Sequence, residues 1–148
     1  MLKKYFIPSS LVLLLLLSSF IAKENNASYN HKTEINFFKG TWKDALIKAK
    51  AEKKIIFLDI GASWCGPCKK LKNKTFTNAK VAAYFNTNFI NVILDGEDGA
   101  DGTMLAEKYN LAYYPSLFFI DSTGNVLKAG SGYYNSREIL QFAKSVSK

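Results

Sequence analysis

The chain's only two cysteines are separated by two residues in the segment Trp64-Cys65-Gly66-Pro67-Cys68. A pair at this spacing can close into a disulfide and open again with little backbone movement, which suits a two-electron redox switch. As a structural bridge it would be weak, because a four-residue ring stabilises a fold by only about 2 kcal/mol in the loop-entropy model. Zinc is disfavoured because a structural site needs four Cys or His ligands, and the chain adds only His31, far away in sequence. The spacing therefore favours redox chemistry over a structural bridge or a metal site.

The residues around the cysteine pair predict a junction between a strand and a helix. Upstream, residues 54–60 form a short apolar run that is rich in β-branched and aromatic side chains, as in a buried strand. Downstream, Lys69-Lys70-Leu71-Lys72 continues without a helix breaker. Cys65 would then start the helix, where unpaired N–H groups and the positive end of the helix dipole make the thiol easier to ionise. Pro67 is tolerated there, since the first helical turn has no hydrogen-bonded N–H to lose.

Two motifs of the chain resemble landmarks of the thioredoxin family. The first, Phe57 to Lys69, is similar to the active-site segment of the family, and Trp42 to Leu46 is similar to the opening helix of its exported members. The second, Tyr113 to Phe119, resembles the segment that carries a cis-proline. This likeness implies that Pro115 is cis and lies against the cysteine pair. The resemblance runs from about Phe37 to the C-terminus, about three quarters of the chain.

The resemblance implies thiol–disulfide exchange, with Cys65 as the attacking thiolate and Cys68 as the cysteine that resolves the mixed disulfide. We expect Cys65 to be the more exposed of the two. Asp59 is the candidate proton acceptor for Cys68, because a carboxylate inside an apolar strand is desolvated and its pKa rises; the family also carries a buried Asp at this offset. The alternative is an Asp at a strand end that bonds to a turn. Where thioredoxins place a lysine near this Asp, the chain has Asn91, which leaves the proton handling open.

The same resemblance predicts the surface that client proteins contact. Trp64, Gly66 and Pro67 flank the cysteines, and Tyr114 with Pro115 would line a groove beside them. Tyr114 and its neighbour Tyr113 are, in the alternative interpretation, ordinary core or surface aromatics. No metal and no cofactor are expected, because the cysteine pair is itself the redox group.

Apolar periodicity and turn residues predict a mixed order of helices and strands for the rest of the chain. Helices are expected where apolar residues recur at helical spacing, with Thr41 as the first N-cap. The predicted helices are 42–53, 65–85 with a break near 75–78, 103–109 and 136–146. The predicted strands are 55–60, 89–94, 117–120 and 126–129, the last two forming a hairpin around 122–125. This order predicts an α/β protein with the thioredoxin fold, a central mixed β-sheet flanked by helices on both faces.

The N-terminal residues differ in composition from the rest of the chain. Lys3-Lys4 precedes an almost unbroken apolar stretch from Leu11 to Leu17, the layout of an export signal. Residues 1–22 are therefore interpreted as a signal peptide, with a retained membrane anchor as the alternative. Residues 23–35 are interpreted as a flexible polar tether and residues 36–148 as the thioredoxin-like domain. We expect an exported protein, periplasmic or extracytoplasmic, that is free or held by its N-terminus.

The net charge of the chain excludes few classes of function and does not indicate a nucleic-acid partner. The formal net charge is +8, but most lysines are scattered over predicted helices, as on a solvated surface. No nucleic-acid-binding module is recognisable. The acidic segment 95–102 lacks the ligand pattern of a calcium loop and is interpreted as a solvent-exposed turn.

The sequence favours an enzyme that reduces disulfides in client proteins. The Gly66-Pro67 dipeptide between the cysteines resembles that of reducing members of the family. In an exported compartment such an enzyme needs electrons, and a membrane thiol-transfer protein is the natural donor. A disulfide oxidase or isomerase, and a client-binding module whose cysteine pair is incidental, stay open as alternatives. We expect a monomer.

Overall fold

Four strands form one mixed sheet at the centre of the structure, a computed structural model that describes residues 33–146. The strands are β1 (Ile55–Gly61), β2 (Phe89–Asp95), β3 (Ser116–Ile120) and β4 (Val126–Ser131). Their order across the sheet is β2-β1-β3-β4, with β1 parallel to β2 and antiparallel to β3. Strands β3 and β4 form the predicted antiparallel hairpin. Each strand lies within two residues of its predicted bounds.

Within residues 33–146, five helices accompany the sheet. They are α1 (Trp42–Glu52), α2 (Gly66–Lys70), α3 (Ala79–Asn88), α4 (Ala100–Lys108) and α5 (Ser136–Lys144), and a π-helical turn (Leu71–Thr75) continues α2. The predicted N-cap at Thr41 is confirmed, since its side chain accepts the Asp44 N–H and the Asp44 carboxylate accepts the Thr41 N–H. The predicted break between α2 and α3 is also present, and Asn78, which follows the break, is the N-cap of α3.

Side chains alternate along β1 and divide the core into two halves. Ile56, Leu58 and Ile60 pack with α1 and α4 on one face of the sheet. Phe57 packs on the other face with α3, α5 and the π-helical turn. This period-two alternation is that of a strand whose two faces are both covered. The predicted α/β thioredoxin fold, a mixed sheet with helices on both faces, is confirmed.

The acidic segment 95–102 contains the predicted solvent-exposed turn, since residues 96–99 form a turn in which Glu97, Asp98 and Gly99 are exposed. The helix after this turn starts earlier than the predicted residue 103. Helix α4 begins within the segment, at Ala100, and Gly102 is buried. A Cβ at Gly102 would lie 1.8 Å from the backbone oxygen of Asp95, so only glycine allows this approach of α4 to the end of β2. The carboxylate of Asp101 also accepts the Trp42 N–H at 2.6 Å, which connects α4 to the start of α1. Long-range packing therefore places the end of the segment, Asp101 and Gly102, against the domain.

The predicted signal or anchor, residues 1–22, and most of the predicted tether lie outside the described residues. Within the described part, Ile35 is buried, and its N–H donates to the oxygen of Phe76 at 2.9 Å. Between residues 33 and 146, no helix has the length and apolar character to cross a bilayer. The division at residue 35 therefore stays a prediction.

Candidate active site

Cys65 and Cys68 form a disulfide at the point where β1 leads into α2. Their Cα atoms are 5.3 Å apart. Cys65 is the N-cap of α2, and its Sγ accepts the backbone N–H of Cys68 at 3.2 Å. Pro67 lies in the first turn of α2, as predicted. The sulfur of Cys65 thus lies at the end of a helix where N–H groups and the helix dipole stabilise negative charge.

The prediction that Cys65 is the more exposed cysteine is wrong for the disulfide-bonded form. Cys65 is only 1% exposed, whereas Cys68 is partly exposed. The physical reason is the capping geometry, because the Sγ of Cys65 is directed toward the first turn of α2 by its bonds to Cys68. Its reactivity must therefore be argued from the helix terminus and not from exposure.

The bond between Tyr114 and Pro115 is cis, which confirms what the family resemblance implied. Pro115 is buried and immediately precedes Ser116, the residue of β3 that pairs with Ile60 of β1. The next residue of β1, Gly61, lies against Cys68, since a Cβ built on Gly61 would be 3.1 Å from the Cys68 Sγ. The register of the sheet thus places Pro115 at the same end as the cysteine pair.

Asp59 lies inside β1, paired with Ile93 on one side and Leu117 on the other. The side chain is 2% exposed in the fold, and within residues 33–146 its Oδ1 accepts no hydrogen bond. Burial raises the pKa of Asp59 to about 7, and the positive charge of Lys72 opposes this rise. The alternative of an Asp at a strand end that bonds to a turn does not fit this position. The carboxylate is placed to gain and lose a proton near neutral pH.

One cavity joins Asp59 to the cysteine pair. Its volume is 320 Å³, and it opens between the end of the sheet and the start of α2. Its lining combines one of the two cysteines with charged, small and apolar residues: Asp59, Gly61, Ala62, Ser63, Cys68, Lys69, Lys72, Ile93, Leu94 and Asp95. A water molecule takes about 30 Å³ in the liquid, so the cavity is large enough to let water connect Asp59 with Cys68.

The positive charge that acts on Asp59 belongs to Lys72, which is not at the position where the family resemblance implies a lysine. Asn91, the residue in place of the family's lysine, is buried, and its Nδ2 donates to the oxygen of Asn36 and to Oδ1 of Asn86. Lys72, in the π-helical turn, lines the cavity instead. The sequence did contain a signal, because Lys72 follows Cys68 by four residues, a spacing that puts two helical side chains on one face.

An aromatic and acidic rim lies on the outer side of the cysteine pair. Trp64 is 66% exposed, and its Nε1 donates to Oε2 of Glu97 at 2.8 Å. Its ring packs edge-on against Tyr114 with ring centroids 6.1 Å apart. Burial and the charges of Glu97 and Asp95 raise the pKa of the Tyr114 hydroxyl. Glu97 could not be identified from the sequence, since only the fold brings residue 97 to residue 64.

The structure therefore gathers the predicted groove residues near the disulfide but exposes them unequally. Trp64, Gly66 and Pro67 are exposed, Tyr114 is half-buried and Pro115 is buried. Tyr113 is exposed beside them. Tyr114 contacts the Trp64 ring and also packs against the apolar core on the α1 side of the sheet, so it belongs both to this surface and to the core.

Comparisons with known proteins agree with this geometry. The family described as the thioredoxin-like domain matches residues 42–147. The thiol:disulfide interchange protein DsbD of Colwellia psychrerythraea is 30% identical over 108 residues, which is 71% of this chain and 18% of DsbD. The chain thus spans less than a fifth of that relative's length.

Solved structures show the same fold. A candidate disulphide-isomerase from Bacteroides thetaiotaomicron is 37% identical and superposes with a TM-score of 0.69, over 78% of this chain and 94% of that one. The oxidised C-terminal domain of DsbD from Neisseria meningitidis is 22% identical with a TM-score of 0.60, over 74% of this chain and 98% of that one. At that identity the second likeness concerns the fold alone.

The cysteine pair is the redox group of this fold, and the chemistry needs no cofactor. Among the described residues, no three His, Cys, Asp or Glu side chains come together as a metal site would require. The chain belongs to the thioredoxin-like domain family, and within that domain it carries the Cys65–Cys68 disulfide.

Proposed function

We propose that this protein reduces disulfides in client proteins through the dithiol form of Cys65 and Cys68. The observation that carries the proposal is that the buried Asp59 lines the same cavity as Cys68. The Asp59 carboxylate disfavours the thiolate of Cys68 in the reduced pair, and a less stable reduced pair gives up its electrons more readily. The opposite design, a strongly stabilised thiolate, characterises oxidants.

The exchange proceeds in two displacements. The Cys65 thiolate attacks one sulfur of the client disulfide, so that a bond between Cys65 and the client forms and the client disulfide breaks. Asp59 takes the thiol proton of Cys68, through water in the cavity. The Cys68 thiolate then attacks the Cys65 sulfur, closes the Cys65–Cys68 disulfide and releases the second client thiolate. Two electrons pass to the client, whose thiolates take up protons from solvent.

The helix terminus supports Cys65 as the attacking sulfur. Its Sγ already accepts the Cys68 N–H, the kind of bond that stabilises a thiolate. The rim of Trp64 and Tyr114 would receive the client chain next to this sulfur, with Gly66 and Pro67 exposed beside it. Electrons would return from a membrane thiol-transfer protein, and the enzyme would act as a monomer on clients that carry disulfides.

The direction of electron flow is tested by equilibrating the full-length chain with glutathione buffers and measuring the fraction of disulfide. For a reductase we expect a reduction potential below about −220 mV. A potential between about −180 and −120 mV, the range of isomerases and oxidants, would favour the alternative enzymes. Insulin reduction in dithiothreitol separates all of these from a client-binding module, which would not accelerate the reaction over a Cys65→Ser control.

A further inference from the structure

Asp59 lies on β1 and lines the cavity, and no hydrogen-bond donor reaches its Oδ1 within residues 33–146. Side chains alternate along β1, so Asp59 points to the same face of the sheet as Phe57, the face covered by the π-helical turn and α3. An ionised carboxylate in such a place needs an opposite charge within reach.

The cavity provides that charge from a different element. Lys72 lies in the π-helical turn that begins three residues after Cys68, and it lines the same 320 Å³ cavity as Asp59 and Cys68. Its side chain is exposed, so the ammonium keeps its water while its field acts across the cavity. π-Helical turns inside helices are frequent at functional sites, because they shift the side chains that follow.

We propose that Lys72 is a positioning residue that sets the proton affinity of Asp59 and, through it, the pH range in which Cys68 resolves the mixed disulfide. This inference rests on the proposed function, because it assigns the control of one step in that exchange. Lys72 itself does not touch the reacting sulfur atoms.

The other charged groups around the cavity do not take this role. Lys69 lies on α2 and also lines the cavity, and Asp95 lies at the end of β2. Strand β3 presents the apolar Leu117 opposite Asp59. Of these groups, it is the positive charge of Lys72 that lowers the pKa of Asp59, against the larger effect of burial. Removing the Lys72 charge therefore raises that pKa further.

The step affected is the proton transfer that precedes resolution. The Cys68 thiol gives its proton to the Asp59 carboxylate, which becomes a neutral acid, and the resulting thiolate attacks the Cys65 sulfur. Only the ionised form of Asp59 accepts the proton. A nearby opposite charge lowers a carboxyl pKa by about one unit or more. Loss of that charge would leave roughly one tenth of Asp59 ionised at pH 7 instead of half, a decrease of about fivefold.

The test uses three variants of the full-length chain: Lys72→Met removes the charge, Lys72→Arg keeps it, and Lys74→Met removes a charge from the same turn, away from the cavity. In each, the titration of Asp59 is followed by carbon NMR of its carboxyl group, and the rate at which a preformed mixed disulfide on Cys65 is resolved is measured from pH 5 to 9.

We expect Lys72→Met to raise the Asp59 midpoint by about one pH unit and to slow resolution about fivefold at pH 7, with little effect at pH 9. Lys72→Arg and Lys74→Met should titrate like the natural chain. An unchanged Asp59 midpoint in Lys72→Met overturns the proposal, as does a shifted midpoint with an unshifted rate profile. Both results leave the proposed function intact, because that depends on the potential and activity of the natural chain.

Discussion

At the residue scale, the burial of Asp59 lowers the free energy of unfolding but also makes its carboxylate a suitable proton acceptor. The carboxylate lies in the buried middle of β1, where neighbouring apolar side chains replace water. The same burial raises its pKa to about 7, close to the pH at which a proton acceptor is most useful. Since a buried carboxylate is not required to hold the sheet together, its presence supports a chemical role.

This cost predicts a pH dependence of the free energy of unfolding. The pKa of Asp59 is about 7 when folded, against a reference value of 3.8. At pH values between these two pKa values, the folded state binds more protons than the unfolded state. The free energy of unfolding therefore falls as pH rises from about 4 to 7 and then levels off. The difference corresponds to about 4 kcal/mol at most. Asp59→Asn should therefore be more stable than the natural chain at pH 8 and similar to it at pH 4.

Urea denaturation of the oxidised proteins at pH 4, 6 and 8 measures this difference. Asp98→Asn is the matched control, because Asp98 is exposed and its substitution leaves the core untouched. If the natural chain and Asp59→Asn lose stability in parallel with pH, the carboxylate is not a group that titrates near neutrality.

At the element scale, the junction between β2 and α4 holds the acidic rim in place. Helix α4 starts close to the end of β2, and Glu97, in the connection between them, reaches Trp64 beside the cysteine pair. The closeness of Gly102 to the oxygen of Asp95 is what permits this short connection. The position of one glycine thus affects the surface that is proposed to contact clients.

Gly102→Ala should destabilise the domain, because its methyl group would meet a backbone oxygen that cannot move freely. Overpacking of this kind costs about 1–3 kcal/mol. Gly66→Ala is the control, since a Cβ there meets nothing within 4 Å and alanine is the better helix former. Thermal unfolding compares the two. Equal midpoints for both variants would show that α4 tolerates a displacement from β2.

At the scale of the whole molecule, the sequence predicted those features that depend on local pattern. The apolar runs of β1 and β2 and the turn around residues 122–125 indicate strands by themselves, and the order of elements then limits the fold. Local pattern could not reveal that Glu97 meets Trp64 or that the Cys65 sulfur is buried. These are consequences of packing between distant segments. Lys72 could be predicted only in part. Its spacing from Cys68 indicates that the two side chains share a helix face, but the effect of its charge on Asp59 depends on the fold.

The N-terminal residues give a prediction for the whole chain in the cell. Residues 1–22, outside the described part, should carry the domain across a membrane, since two lysines precede an apolar stretch there. Fractionation should find the full-length protein outside the cytoplasm, free if the segment is cleaved and membrane-bound if it is retained. A variant that lacks residues 1–22 should stay in the cytoplasm. Intact natural chain in the cytoplasmic fraction would contradict the export proposal.

Trapping of mixed disulfides is the most direct test of exchange through Cys65 with resolution by Cys68. Cys65→Ser and Cys68→Ser are each incubated with a disulfide-containing protein such as insulin, and the covalent adducts are counted by mass spectrometry. We expect Cys68→Ser to accumulate adducts on Cys65, because no second thiol can release them, and Cys65→Ser to form almost none. Equal trapping by the two variants, or adducts mainly on Cys68, the more exposed cysteine of the disulfide form, would contradict the account.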